Sequence, residues 1–205
     1  EYLGGEKPVE IMTLPKDQRK GLMWRHISYV PQGSLSVLNP VRRIGDTFES
    51  FIGAHLDPST TKQQYKELVH NHLEALGLPE DTLRAYPHQL SGGMRQRVTI
   101  ALATILKPQL ILADEPSTAL DVVVQRGVIQ LLDDIREEQN NTIILVTHDM
   151  AIDANICDRI AIMYAGRIIE EADTSRIFGK ALHPYTRYLI GSLPQIGDKT
   201  HRVST

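Results

Sequence analysis

The sequence predicts an α/β fold with a mainly parallel sheet and a helical subdomain. Three short segments predict strands. Leu110–Asp114 (LILAD) and Thr142–Val146 (TIILV) are apolar runs typical of buried strands, and His26–Pro31 (HISYVP) alternates and is rich in β-forming residues. Segments of helix length, with apolar residues at helical spacing, alternate with these runs, and such alternation favours a parallel sheet. Polar residues follow the runs at the carboxyl ends of the predicted strands, where open α/β sheets bind their ligands.

The composition is that of an ordinary globular protein. The chain has 205 residues, of which 41% are hydrophobic and 23% are charged. Its net charge of −3 provides no basic surface, so we predict no nucleic-acid partner. The apolar runs are far shorter than the ~20 residues of a membrane span, so any link to a membrane is expected to come through a partner chain. The single cysteine, Cys157, cannot form an internal disulfide and fits a reducing compartment.

Gln32 follows the first predicted strand. Its amide oxygen can accept a hydrogen bond or bind a cation, while its nitrogen can donate a hydrogen bond. Considered alone, a glutamine in a loop is more often simply solvated. Its place at a strand end gives it a candidate binding role.

A helical subdomain is expected at about 41–106. Within it, Lys62–Leu76 carries an apolar stripe, with Thr60 or Thr61 as the expected N-cap and Gly77 as the expected end. His70 and His72 are two residues apart and do not share a helix face, so a solvated surface is favoured over a metal site.

Ser91, Gly92 and Gly93 form a predicted turn ahead of an apolar helix, Met94–Leu106. Unpaired N–H groups and the helix dipole favour an anion there, and the Ser91 hydroxyl suits a phosphate oxygen. Glycine is expected because a Cβ would keep a phosphate away from the backbone.

Three polar residues, Arg95, Gln96 and Arg97, occupy the first turn of the same predicted helix. Cations at a helix N-terminus are locally unfavourable. Either a bound polyanion relieves this cost, or the arginines extend to solvent.

Two carboxylates, Asp114 and Glu115, end the second predicted strand. One can hold Mg²⁺ through water, and the other can orient or deprotonate a water molecule. Alternatively, an acidic pair often occurs simply because a strand ends at the solvent-exposed surface.

Two further polar residues are candidates because of their positions. Asp121 is the expected N-cap of a helix that runs to about Glu138. His148 comes two residues after the third predicted strand, although in that position it is more often a neighbour of a helix cap. Beyond it, residues 159–171 predict a hairpin around Ala165-Gly166, and a last helix is expected near His183.

The combination of LSGGMRQR at 90–97 and LILADEP at 110–116 resembles the signature and Walker B motifs of ATP-binding cassette (ABC) ATPases. The resemblance extends from about Val9 to Leu193 and implies a P-loop NTPase-like fold, with ATP and Mg²⁺ as cofactors. It also implies a head-to-tail dimer, in which each ATP lies between the Walker motifs of one subunit and the signature of the other.

The resemblance further implies a role for each candidate residue. Asp114 and Gln32 are expected to hold Mg²⁺. Glu115 is expected to act on the attacking water, and His148 to contact the γ-phosphate. The remaining expected ATP contacts are Gln32, the signature residues Ser91, Gly92, Gly93 and Gln96, and Asp121. Asp121 ends the segment 117–121, which resembles the D-loop that follows Walker B in this family.

The sequence departs from the family at one point, because it contains no GxxxxGK[ST] phosphate loop. We therefore expect an N-terminally truncated, partial ABC ATPase domain over 1–205 that lacks the phosphate-loop strand and is inactive by itself. A C-terminal extension is expected at about 174–205.

The long coiled coil of chromosome and DNA-repair ATPases is absent between Gln32 and Ser91. A cytosolic ABC ATPase of the translation type and a non-catalytic fragment stay open as alternatives.

Two segments, SVLNP at 36–40 and HPYTR at 183–187 with SLP at 192–194, resemble the ATPases of oligopeptide and dipeptide importers. The resemblance implies transmembrane permease subunits as partners, a solute-binding protein as an indirect one, and a peripheral location on the cytoplasmic face of the membrane.

Overall fold

The computed structural model describes residues 10–33, 37–55 and 60–193. Its contacts divide the chain into two units, Glu1–Val146 and Thr147–Thr205. Ser36, Pro194 and the rest of the predicted C-terminal extension after residue 193 lie outside the described residues. The boundaries predicted for the helical subdomain and the extension stay predictions.

The first unit contains a three-stranded sheet whose order is β1-β2-β3, with β1 at Ile27–Val30, β2 at Leu110–Asp114 and β3 at Thr142–Val146. Both strand pairs are parallel. The predicted parallel sheet is therefore confirmed, and the carboxyl ends of the three strands share one edge.

In the described part of the first unit, α-helices precede β1 or lie between successive strands along the chain. They are α1 (Lys16–Leu22), α2 (Ile44–Gly53), α3 (Lys62–Ala75), α4 (Gly92–Thr104) and α5 (Val122–Gln139). Short 3-10 helices lie at Ile11–Thr13, Glu80–Arg84 and Pro87–Gln89.

Helix α3 begins and ends as its sequence predicts. The Thr61 hydroxyl accepts a hydrogen bond from the Gln64 amide at 3.3 Å, and the Gln64 side chain accepts one from the Thr61 amide at 2.9 Å. After the helix, Gly77 adopts a φ of +66°, which a glycine tolerates best.

The core of the first unit forms between the sheet and α4. Helix α4 is apolar on nearly every side beyond its first turn, and Val98, Ile100 and Ala101 are fully buried. Ile111 of β2 and Val128 of α5 are also fully buried in this cluster. A helix without a polar face fits this central position.

The described part of the second unit contains α6 (Met150–Ile156), the antiparallel hairpin of β4 (Arg159–Tyr164) and β5 (Arg167–Asp173), then α7 (Thr174–Lys180) and α8 (Pro184–Gly191). Ala165 and Gly166 both have positive φ values, as a tight hairpin turn requires. The predicted hairpin is thus confirmed.

Glu170 of β5 connects the hairpin to the start of α8. Its carboxylate accepts hydrogen bonds from the backbone amides of Leu182, at 2.6 Å, and His183, at 3.0 Å. The Thr186 hydroxyl and these amides hold the pKa of Glu170 below its usual value. The positive end of the α8 helix dipole stabilises a carboxylate at this position.

Candidate functional site

Glu115 has an unusual backbone conformation directly after β2. Its φ is +42°, in the left-handed region that few non-glycine residues occupy. Its N–H donates to the carbonyl oxygen of Val146 at 2.8 Å and so extends the pairing of β2 with β3 by one residue. Strained backbone of this kind is concentrated at functional sites.

The Glu115 carboxylate is held by two neighbouring side chains. Gln32 Nε2 donates to Oε2 at 3.0 Å, and the Thr118 hydroxyl donates to the same oxygen at 2.8 Å. Hydrogen bonds to a charged acceptor are stronger than those between neutral groups. The side chain is therefore oriented by residues from two different loops.

Asp114 has a donor of its own. The Tyr29 hydroxyl donates to Asp114 Oδ2 at 2.9 Å, from β1 to β2. This hydrogen bond and the negative charge of Asp114 raise the pKa of Tyr29, because both favour the protonated phenol.

The sheet edge thus brings together three of the predicted site residues, Gln32, Asp114 and Glu115. His148 lies in the second unit, two residues beyond β3. Its expected contact with a γ-phosphate stays a prediction.

The two glycines of the signature segment occupy a different position from the one expected. Helix α4 begins at Gly92, so Gly92 and Gly93 form its first turn and do not precede it. The helix begins there because Ser91 is its N-cap: the Ser91 hydroxyl accepts a hydrogen bond from the Met94 amide at 3.2 Å. The amides of Gly92 and Gly93 have no acceptor within the helix, as in any helical first turn.

Close packing is a second reason why glycine occupies positions 92 and 93. A Cβ on Gly93 would lie 2.6 Å from Val124 Cγ1, and one on Gly92 would lie 3.3 Å from Leu120 Cδ2. The start of α4 therefore approaches α5 and the loop before it too closely for a side chain at position 93.

Because α4 begins at Gly92, Arg95 and Arg97 lie beyond its first two residues, and they do not simply extend to solvent. Relief of their charge by a bound polyanion stays a prediction. Arg95 donates to the carbonyl of Pro87 at 3.3 Å, and Arg97 donates to that of Leu76 at 3.1 Å. Both carbonyls belong to the chain between α3 and α4, so the arginines connect α4 to that part of the first unit. Gln96 is 3% exposed, and its expected ATP contact stays a prediction.

Asp121 caps α5, as predicted. Its Oδ1 accepts the amides of Val123 and Val124 at 3.1 and 3.0 Å. The capped turn leaves Val122 and Val123 largely exposed. A contact between Asp121 and ATP stays a prediction.

Sequence reasoning missed Tyr29 and Thr118. The signal for Thr118 was its position three residues after Glu115, within reach of that side chain. Tyr29 is an exposed residue between buried neighbours in β1, and only the register with β2 shows what its hydroxyl reaches.

The donor types at this edge fit Mg²⁺, which prefers oxygen ligands. Tyr29 donates to Asp114 Oδ2, so Asp114 Oδ1 can face a cation or a water bound to it. Gln32 donates from its nitrogen to Glu115, so its amide oxygen can also face the cation. Within the described ranges, no group of three or more acidic, histidine or cysteine residues could hold a metal by itself. No described helix is long and apolar enough to cross a membrane.

The parallel sheet, its acidic edge and the helix that begins at the Ser-Gly-Gly segment define the ABC ATPase fold. A family model described as "ABC transporter" matches residues 8–118, more than half of the chain, and the chain belongs to this family. A second model, described as "Oligopeptide/dipeptide transporter, C-terminal region", matches residues 169–205.

Curated relatives are named as ATP-binding proteins of dipeptide or oligopeptide transport. The chain is 37% identical over 201 residues to the dipeptide transport ATP-binding protein DppD of Caldanaerobacter subterraneus, covering 96% of this chain and 60% of the relative. It is 39% identical over 189 residues to the oligopeptide transport ATP-binding protein OppD of Escherichia coli, covering 91% and 56%. The chain therefore spans less than two thirds of the length of these relatives.

Solved structures agree with the fold. A dimeric, post-hydrolysis state of the ATP-binding cassette MJ0796 bound to ADP and Pi is 28% identical, with a TM-score of 0.69, and the match covers 79% of this chain and 68% of the other. CbiO1 of Clostridium perfringens, part of an ABC transporter complex, is 25% identical with a TM-score of 0.69, and covers 81% and 64%.

Proposed function

We propose that this chain is part of the ATP-hydrolysing subunit of an ABC transporter that imports dipeptides, oligopeptides or a related small solute. The observation that best supports the ATPase role is the Glu115 carboxylate, held by Gln32 and Thr118 beside Asp114. The peptide assignment is supported by the DppD and OppD relatives and by the model that matches residues 169–205.

The proposed reaction is transfer of the γ-phosphoryl group of ATP to water. Asp114 and the Gln32 amide oxygen would hold Mg²⁺, which offsets the charge of the phosphates. Glu115 would orient the attacking water and accept its proton, and His148 would contact the γ-phosphate. The hydrogen bond from Gln32 would hold Glu115, the proposed base, close to the proposed Mg²⁺ site.

The second half of each site would come from a partner subunit. Ser91, Gly92 and Gly93 would bind the γ-phosphate of the ATP held by the opposite chain, with Gln96 and Asp121 as further contacts. The amides at the start of α4 suit this role, because they point along the helix axis towards an incoming anion. The dimeric MJ0796 structures support a paired arrangement.

We further propose that the intact protein lies on the cytoplasmic face of the membrane and transmits energy to permease subunits, which receive solute from a binding protein. Residues 1–205 alone are proposed to be inactive, because they contain no phosphate loop to hold the β- and γ-phosphates. ATP turnover by the purified 205 residues that Glu115→Gln abolishes would contradict this part.

Transport is tested in the organism that carries the gene. Deletion is expected to abolish uptake of labelled di- or oligopeptides, and the wild-type gene should restore uptake while a Glu115→Gln copy should not. Uptake of nickel serves as the parallel assay for a related solute. Normal uptake of all three, with loss of export of another compound, would contradict import.

A further inference from the structure

Tyr29 contacts the acidic edge from within a strand. In β1 it is the exposed position between buried neighbours, and 38% of its surface remains accessible. Its register partner on β2 is Leu112, two residues before Asp114. Because alternate residues of a strand share one face, Leu112 and Asp114 project on the same side of the sheet as Tyr29.

The length of the tyrosine side chain matches this offset. Its hydroxyl reaches the residue two positions beyond its register partner and donates to Asp114 Oδ2 at 2.9 Å. A phenylalanine would cover the same surface without this donor. The hydroxyl therefore has a directed role at the carboxylate that packing of the ring alone does not require.

The two carboxylates of the edge are held separately. Tyr29 contacts Asp114, while Gln32 and Thr118 contact Glu115. A change at Tyr29 should consequently alter the residue proposed to hold the metal and leave the hydrogen bonds of the proposed base in place.

We propose that Tyr29 is a positioning residue for metal binding: its hydroxyl fixes the Asp114 carboxylate so that Oδ1 faces Mg²⁺ or a water bound to it. This inference rests on the proposed ATPase function. Partners that orient a ligating carboxylate typically change metal affinity by about 10- to 100-fold when they are removed. Tyr29 acts through Asp114 and has no direct contact with the metal in this scheme.

The test is performed on the full-length protein with Mn²⁺, which replaces Mg²⁺ and is visible by electron paramagnetic resonance. Mn²⁺ is titrated in the presence of a non-hydrolysable ATP analogue, and the binding of the analogue is also measured in EDTA. Tyr29→Phe is expected to weaken Mn²⁺ binding about tenfold and to leave metal-free binding of the analogue unchanged. Tyr188→Phe, at an exposed tyrosine of α8, is the matched control and should change neither value.

Asp114→Asn shows the size of the loss when the proposed ligand itself is changed. Mn²⁺ binding by Tyr29→Phe within about twofold of the wild type, beside a clear loss in Asp114→Asn, would overturn the role of Tyr29 while leaving the proposed function intact. Equal weakening of metal-free and Mn²⁺-dependent binding would show a structural role and overturn it as well. If the wild type bound no Mn²⁺ with the analogue, the proposed function and this inference would both be wrong.

Discussion

Gln32 donates from Nε2 to Glu115 Oε2 across 3.0 Å, and the two residues follow the ends of adjacent parallel strands. Since the glutamine uses its nitrogen for this contact, its amide oxygen can serve a cation at the same time. One side chain can therefore couple the position of the proposed base to the presence of a metal.

Glu115→Gln is expected to slow ATP hydrolysis by the full-length protein by about 10²-fold or more, the contribution of a general base. The change keeps the size of the side chain and removes its negative charge. ATP binding should persist, and a dimer with ATP between the subunits should accumulate. Steady-state phosphate release and size-exclusion chromatography with ATP measure these results. Unchanged turnover would assign the base elsewhere, with His148 the next candidate.

Thr118→Ala is expected to lower kcat about tenfold, because the Glu115 carboxylate would lose the hydrogen bond from the Thr118 hydroxyl. Thr118→Ser keeps the hydroxyl and should restore most of the rate. Turnover at saturating Mg²⁺ and ATP measures the effect, so that any change in metal affinity does not contribute. Equal rates in Thr118→Ala and the wild type would show that the Thr118 hydroxyl is not needed to orient Glu115.

The strands and the acidic edge could be predicted from the sequence because they depend on local patterns. The apolar runs of β2 and β3 are continuous, and the carboxylates come directly after β2. The start of α4 was placed two residues late, at Met94, because glycine is a poor helix former and Ser91 was assigned to a turn.

Other features depend on contacts that the sequence does not display. The Tyr29–Asp114 hydrogen bond joins residues 85 positions apart and requires the register of two strands. The spacing of His70 and His72 predicts a solvated surface, whereas the His72 ring contacts the Ala101 carbonyl and the Thr104 hydroxyl of α4 at 3.2 and 3.0 Å. That error arose because the stripe of α3 was defined from apolar residues alone.

Gly93→Ala is expected to destabilise the protein by about 1–3 kcal/mol, the usual cost of an added group in a packed site. Its Cβ would lie 2.6 Å from Val124 Cγ1. Urea denaturation measures the change. Gly53→Ala is the matched control, because its new Cβ would meet no described atom within 4 Å beyond its chain neighbours and its own helix backbone. Adding Val124→Ala to Gly93→Ala removes the clash and should recover part of the loss. A loss that Val124→Ala does not alter would rule out this contact as the cause.

The pH dependence of stability is expected to contain a contribution from His72. Burial lowers the pKa of His72 from 6.5 to about 4, although the hydrogen bond to the Ala101 carbonyl opposes the shift. The unfolded chain therefore binds a proton below pH 6.5 that the folded protein does not bind until about pH 4. Stability should be unaffected by this group above pH 6.5, should fall as the pH is lowered through this window, and should level off below it.

A difference of about 2.5 pKa units at ~1.36 kcal/mol per unit corresponds to a loss of about 3 kcal/mol across the window. Urea denaturation of the full-length protein between pH 7 and pH 4 measures it. His72→Gln cannot take up the proton, so its stability should fall less steeply over this range, even if its stability at pH 7 is lower. Identical slopes for His72→Gln and the wild type would show that the His72 ring is protonated in the folded protein as readily as in the unfolded chain.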